Sequence, residues 1–95
     1  MKKFLFVHYG FERPTPEIMA AWGKWFESMK ENTIDSFGFS GGREISKAGT
    51  KRLPLGPESI TGISIVSADS LAEAEKMARS NPYISSIRVY DVRSK

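Results

Sequence analysis

The chain has 95 residues, 40% hydrophobic and 12% aromatic, with 14 Lys and Arg against 11 Asp and Glu and no cysteine. That size and composition predict one domain over residues 1–95 with a modest core, and exclude intrinsic disorder, disulfides, thiolate metal sites and thiol catalysis. The net charge of +3 is scattered along the chain rather than massed in one block, which argues against nucleic acid as a partner.

The first predicted element is a strand, Lys3-Phe4-Leu5-Phe6-Val7-His8-Tyr9. Side chains alternate across a strand, so Phe4 and Phe6 point one way and Leu5, Val7 and Tyr9 the other. Both faces are apolar, whereas a sheet with one wet face alternates apolar with polar. Two lysines precede this run, and Glu12, Arg13 and two prolines soon follow it. That is neither a signal peptide nor a membrane span, and it predicts a cytoplasmic protein with no membrane partner.

Thr15-Pro16-Glu17 reads as a helix start: Thr15 caps, Pro16 suits the first helical position and Glu17 favours the positive end. Ile18, Trp22, Trp25, Phe26 and Met29 recur at helical spacing and predict one apolar stripe over 16–29. Thr33 to Phe39 reads as a second strand. Glu44 to Leu53 folds back around Ala48-Gly49 as a hairpin arm, and Thr61 to Ala68 follows as another strand. Ser70-Leu71-Ala72-Glu73 is a capping box opening a second helix, with Leu71, Ala74, Met77 and Ala78 as its buried stripe and Asn81-Pro82 as its stop. The last strand places Ile87 and Val89 on one side and Tyr90 and Val92 on the other.

This order predicts an α+β fold of the ferredoxin-like split βαβ plan, a four-stranded antiparallel sheet with two helices on one face plus a small hairpin arm. The helices cover one apolar face only. A partner subunit or a ligand is expected to cover the other, and the partners expected are a second copy, as a homodimer through the sheet face, and a small-molecule ligand.

Several segments resemble one known family: Lys2-Lys3-Phe4-Leu5-Phe6, Pro14-Thr15-Pro16-Glu17 with Met19-Ala20-Ala21-Trp22-Gly23-Lys24-Trp25-Phe26, Leu53-Pro54-Leu55-Gly56-Pro57, Thr61-Gly62, Ala68-Asp69-Ser70-Leu71 and Asn81-Pro82-Tyr83. Together they are similar to the YCII-related (DGPF-containing) family, over nearly the whole chain. The resemblance implies subunits that dimerise sheet to sheet into an α+β barrel with a pocket between the sheets. It also implies a histidine in the first helix and an aspartate just before the proline that follows the second. Here Ile18 and Met19 stand at the helix position and Asn81 at the aspartate, so that dyad is missing. Asp35-Ser36-Phe37-Gly38-Phe39 only approximates the DGPF motif.

The remaining candidates come from the residues themselves. His8 is the only imidazole; facing the open side beside a carboxylate such as Asp35 it would move protons near neutral pH, and otherwise it is a half-buried histidine bonded to backbone. Trp22 and Trp25 share a helix face, as core or with one indole at a pocket mouth. In Gly38-Phe39-Ser40-Gly41-Gly42-Arg43 the glycines let backbone N–H groups approach an anion that Arg43 would clamp, or the segment is simply a turn. Arg43, Lys47, Lys51 and Arg52 form the densest basic group, read as a solvated, anti-aggregation edge or as an anion site.

The expected ligand-binding residues are therefore His8, Trp22, Asp35 and Arg43, with His8 and Asp35 the candidates for proton transfer. No cofactor and no metal are expected. The predicted function is binding of a small anionic or aromatic metabolite between sheet and partner subunit. The alternatives are a non-catalytic interaction module and a single-strand RNA binder. Phe37-Gly38-Phe39 resembles the aromatic motif of RRM domains, but it follows the first helix rather than lying on the third strand.

Overall fold

In the structure, a computed structural model that describes residues 2–93, six strands and two helices follow the expected order. They are β1 (Lys2–Tyr9), α1 (Pro16–Ser28), β2 (Thr33–Gly38), β3 (Gly42–Ser46), β4 (Gly49–Leu53), β5 (Ile60–Ala68), α2 (Leu71–Arg79) and β6 (Ser86–Asp91). Four strands form an antiparallel sheet in the order β2-β5-β1-β6, and β3 and β4 form a separate ribbon. The fold class is the one the sequence predicts: α+β, with both helices on one face of the sheet and a hairpin arm. The arm begins two residues earlier than expected, and Gly49, with φ +121°, lets it close behind Lys47-Ala48.

Each helix starts where its cap dictates. Thr15 Oγ1 accepts a hydrogen bond from Ile18 N at 3.1 Å, with Pro16 in the first turn. Ser70 Oγ accepts from Glu73 N at 3.2 Å, while the Glu73 carboxylate accepts from Asp69 N at 3.4 Å. The box is therefore satisfied one residue upstream of its usual donor.

Phe4, Phe6, Val66 and Ala68 project from β1 and β5 against Trp25 of α1, its C-cap Met29, and Ala74 and Ala78 of α2, and these eight buried residues are the core. Small alanines let α2 lie close to the sheet, and Met77 completes its inner stripe. Leu71, expected in that stripe, is 52% exposed. On α1 itself only Trp25 is buried, with the C-cap Met29 just beyond its end; the Phe26 ring rests on its aromatic neighbours, 5.2 Å from Trp25 and 5.7 Å from Trp22. The Trp25 indole ties the helices together, its N–H directed at Met77 O (3.2 Å) and Ser80 Oγ (3.0 Å).

One glycine is required by close approach. A Cβ on Gly62 would lie 2.6 Å from the Phe37 carbonyl oxygen, so β2 can pair with β5 here only because position 62 has no side chain.

On the opposite face Leu5, Ile63 and Ile65 are half-buried, Phe37 and Tyr90 are about half exposed, and no helix covers them. The molecule is accordingly a slab of 41 × 41 × 18 Å. Deleting the Phe6 side chain leaves a cavity in the helix-facing layer, and Phe6→Ala is expected to cost about 3–5 kcal/mol in urea unfolding. Gly62→Ala pushes β2 off the sheet at an expected cost of about 1–3 kcal/mol.

Candidate functional site

His8 lies at the end of β1 opposite Gly62 and Ile87, and alternation puts it with Phe4 and Phe6. It therefore faces the helices and not the open side. Its ring meets Trp22 edge-on at 5.2 Å and Trp25 at 5.9 Å, and it is 6% exposed. Nε2 is 2.9 Å from Ser64 Oγ, which is 3.3 Å from Ser36 Oγ. Nδ1 has no partner among the described residues. Burial holds the imidazole pKa down at about 4, because a charge would be stripped of water there. At neutral pH His8 is uncharged and a weak base, a buried member of the core edge rather than a proton shuttle.

Asp35 occupies the other side of the sheet. It pairs with Ile65, whose own partner on β1 is Leu5, and its Oδ1 accepts from Ser36 N at 2.9 Å. Asp35 and His8 thus lie on opposite faces of one sheet, and no His8–Asp35 pair forms. A shift of one residue along a strand reverses a side chain's face, and β2 enters the sheet through an irregularity between Thr33 and Asp35 that sets this phase. Trp22 joins His8 beneath α1, and Arg43 stands on the arm. The four expected ligand-binding residues are divided among three places.

Asn81 is 3% exposed, and neither its Oδ1 nor its Nδ2 has a partner among the described residues. It follows Ser80, the residue that receives the Trp25 indole N–H.

A cleft lies elsewhere. An open cleft of about 1100 Å³ runs between the arm and the Tyr9 end of the sheet. Its walls are the Gly38–Arg43 connection, Lys51 to Pro54 of β4 and the Gly56–Ile60 turn, with Tyr9 at its floor. Arg43 and Arg52 face each other across the ribbon, so both project from the same side of it. Lys51 adds a third cation and Glu58 a single acid. None of the three cations makes an ion pair among the described residues; the one ion pair there is Arg79–Glu75 at 2.6 Å on the surface of α2. Tyr9 and Phe39 add aromatic surface. The arrangement suits a small anion with an unsaturated or aromatic body, held by guanidinium groups against ring edges.

The glycine loop and Arg43, which read in the sequence as a simple turn or as an anion site, line this cleft. Arg52 belongs to the basic group that reads in the sequence as a solvated edge or as an anion site, whereas nothing in the sequence marks Tyr9 as a cleft residue or the Ser64–Ser36 hydroxyl pair as a contact. Ser64 carried a signal: a small polar residue sits in the helix-facing phase of Ile63-Ser64-Ile65-Val66, directly across from Phe6. Among the described residues no group of three or more His, Asp and Glu could hold a metal ion, and no helix is long and apolar enough to cross a membrane.

No protein-family model matches the chain, and no curated protein matches it. Among solved structures, it is similar to 5-chloro-2-hydroxyhydroquinone dehydrochlorinase from Burkholderia phenoliruptrix AC1100 in complex with 2,5-dihydroxybenzoquinone. The identity is 14%, the match covers 98% of this chain and 95% of that one, and the TM-score is 0.62. At that identity the likeness is one of fold.

The depressed His8 pKa carries a stability consequence. The unfolded chain binds the proton at the ordinary value near 6.5, the folded chain only at about 4. Stability is therefore fully present above about pH 6.5 and is lost as pH falls toward 4, by up to about 3 kcal/mol from this group. Urea unfolding near pH 7 and near pH 4.5 should show that loss, and His8→Gln should remove most of it.

Proposed function

We propose that this chain is a small-molecule-binding protein that works as a homodimer, with its uncovered sheet face against a second copy and its ligand in the cleft between sheet and arm. The observation that carries the reading is the concentration of Arg43, Lys51 and Arg52 around an open cleft floored by Tyr9, with none of these cations neutralised by an ion pair among the described residues. Cations that gain nothing from the fold are available to an incoming anion. The ligand class is a compact, oxygen-rich anion with a planar ring. Arg43 and Arg52 take its charged oxygens and Tyr9 takes its ring.

The fold neighbour, a dehydrochlorinase in complex with 2,5-dihydroxybenzoquinone, lends weight to a planar, acidic ring as the occupant. The resemblance to the YCII-related family supports the sheet-to-sheet pairing. The family's helix histidine and its aspartate are replaced here by apolar residues and Asn81, and His8 is a weak, buried base, so the function proposed is binding.

A sheet-to-sheet dimer should bury on the order of 1,600 Å² in total, and light scattering at micromolar concentration should return twice the chain mass. Calorimetric titration with 2,5-dihydroxybenzoquinone, benzoate and inorganic phosphate tests the cleft. Binding of the ring anions is expected, weakened about tenfold or more by Arg43→Ala or Arg52→Ala and unaffected by Arg79→Ala. No binding of any of the three at millimolar concentration, or equal binding by the arginine variants, would overturn it.

A further inference from the structure

The uncovered sheet face carries a charge at each lateral margin. One row of cross-strand neighbours runs Asp35, Ile65, Leu5, Tyr90, and the next runs Phe37, Ile63, Val7, Arg88. Asp35 therefore lies on the β2 edge and Arg88 on the β6 edge, with two apolar residues separating each from the opposite margin. Both are exposed, and among the described residues neither forms an ion pair. Arg88 arches over the Tyr9 ring, 4.7 Å from its centroid. The remaining charge in this phase is Lys3, at the far end of β1 across from Ser67.

Two copies can stack these faces about a two-fold axis in two simple ways. An axis across the strands sets β2 over β2 and β6 over β6, bringing Asp35 to Asp35 and Arg88 to Arg88. An axis along the strands exchanges the margins. Arg88 of the second copy then stands over Phe37, one same-face step of about 7 Å from Asp35, a distance a long arginine side chain spans. Lys3 meets Ser67, a neutral hydroxyl. Like charges brought together across an interface are strongly disfavoured, while opposite charges fix its register.

We propose that the partner of the open sheet face is a second copy of this chain oriented with its strands along the two-fold axis, so that two reciprocal Asp35–Arg88 pairs border an apolar centre of Leu5, Val7, Ile63 and Ile65. The proposal rests on the reading of the sheet face as a dimer interface and adds its geometry. Because the interface is isologous, each contact occurs twice. The arrangement also brings the β6 margin of each copy over the β2 margin of the other, beside the Tyr9 end of the cleft.

Charge reversal separates the geometry from the dimerisation itself. Asp35→Lys and Arg88→Glu, each alone, should weaken the dimer about tenfold or more, since both pairs turn repulsive. Asp35→Asn and Arg88→Gln should weaken it less. Mixing the two reversed variants should restore wild-type affinity in a heterodimer, read by sedimentation velocity or native mass spectrometry with one variant isotopically labelled. Unchanged far-ultraviolet circular dichroism of each variant confirms that the slab is folded. A dimeric wild type whose singly reversed variants dimerise as tightly as it does would overturn the orientation and leave the dimer standing, because in the other arrangement each reversal only exchanges one like-charge contact for another. A monomeric wild type would overturn both.

Discussion

Strict alternation along β1 governs the rest of the molecule. The strand is central in the sheet, flanked by β5 and β6, so each of its side chains is committed to one of two layers. Phe4, Phe6 and His8 go to the helices, and Leu5, Val7 and Tyr9 go to the open side. The described residues hold two helices, and both are used on the first layer, where Trp25 and the alanines of α2 seal Phe4 and Phe6 from water. The open layer is left apolar in the middle and charged at its margins. That division of burial and charge is what the proposed pairing of two open faces rests on.

The same division separates polar groups that hold the fold from polar groups available for binding. His8, Ser64 and the Trp25 indole are enclosed, and their hydrogen bonds link strands to one another and α1 to the end of α2. Enclosure removes His8 from neutral-pH acid–base work by making its charged form costly. Arg43, Lys51 and Arg52 stand on a ribbon that, among the described residues, packs against no other element and leaves them exposed. A two-stranded ribbon is marginal on its own, and its attachment at the Gly38–Gly42 and Pro54–Ile60 connections is what turns it into the wall of a cleft.

Local signals in the sequence were accurate wherever the physics was local. Thr15-Pro16 and Ser70 through Glu73 start helices because their side chains satisfy N–H groups within one turn. Ala48-Gly49 marks the ribbon turn because a left-handed residue is needed there. Leu71 was misplaced because helical spacing identifies a stripe without saying how far along the helix the opposing layer extends. His8 and Asp35 were paired because adjacent strands were expected to bring them together. The strand order separates them, since β5 lies between β1 and β2, and the phase of β2 against β5, entered through an irregularity between Thr33 and Asp35, puts Asp35 on the open face.

The amino-acid sequence by itself determined the order and type of the elements, the helix boundaries and the existence of two apolar faces on the sheet, since each depends on residues within a few positions of one another. Tertiary structure alone decided which face received the imidazole, which cations gathered about a cleft and where the two margin charges stand. Those outcomes depend on cross-strand register between segments dozens of residues apart, and a register is chosen by the packing of the whole layer rather than by any one segment of the chain.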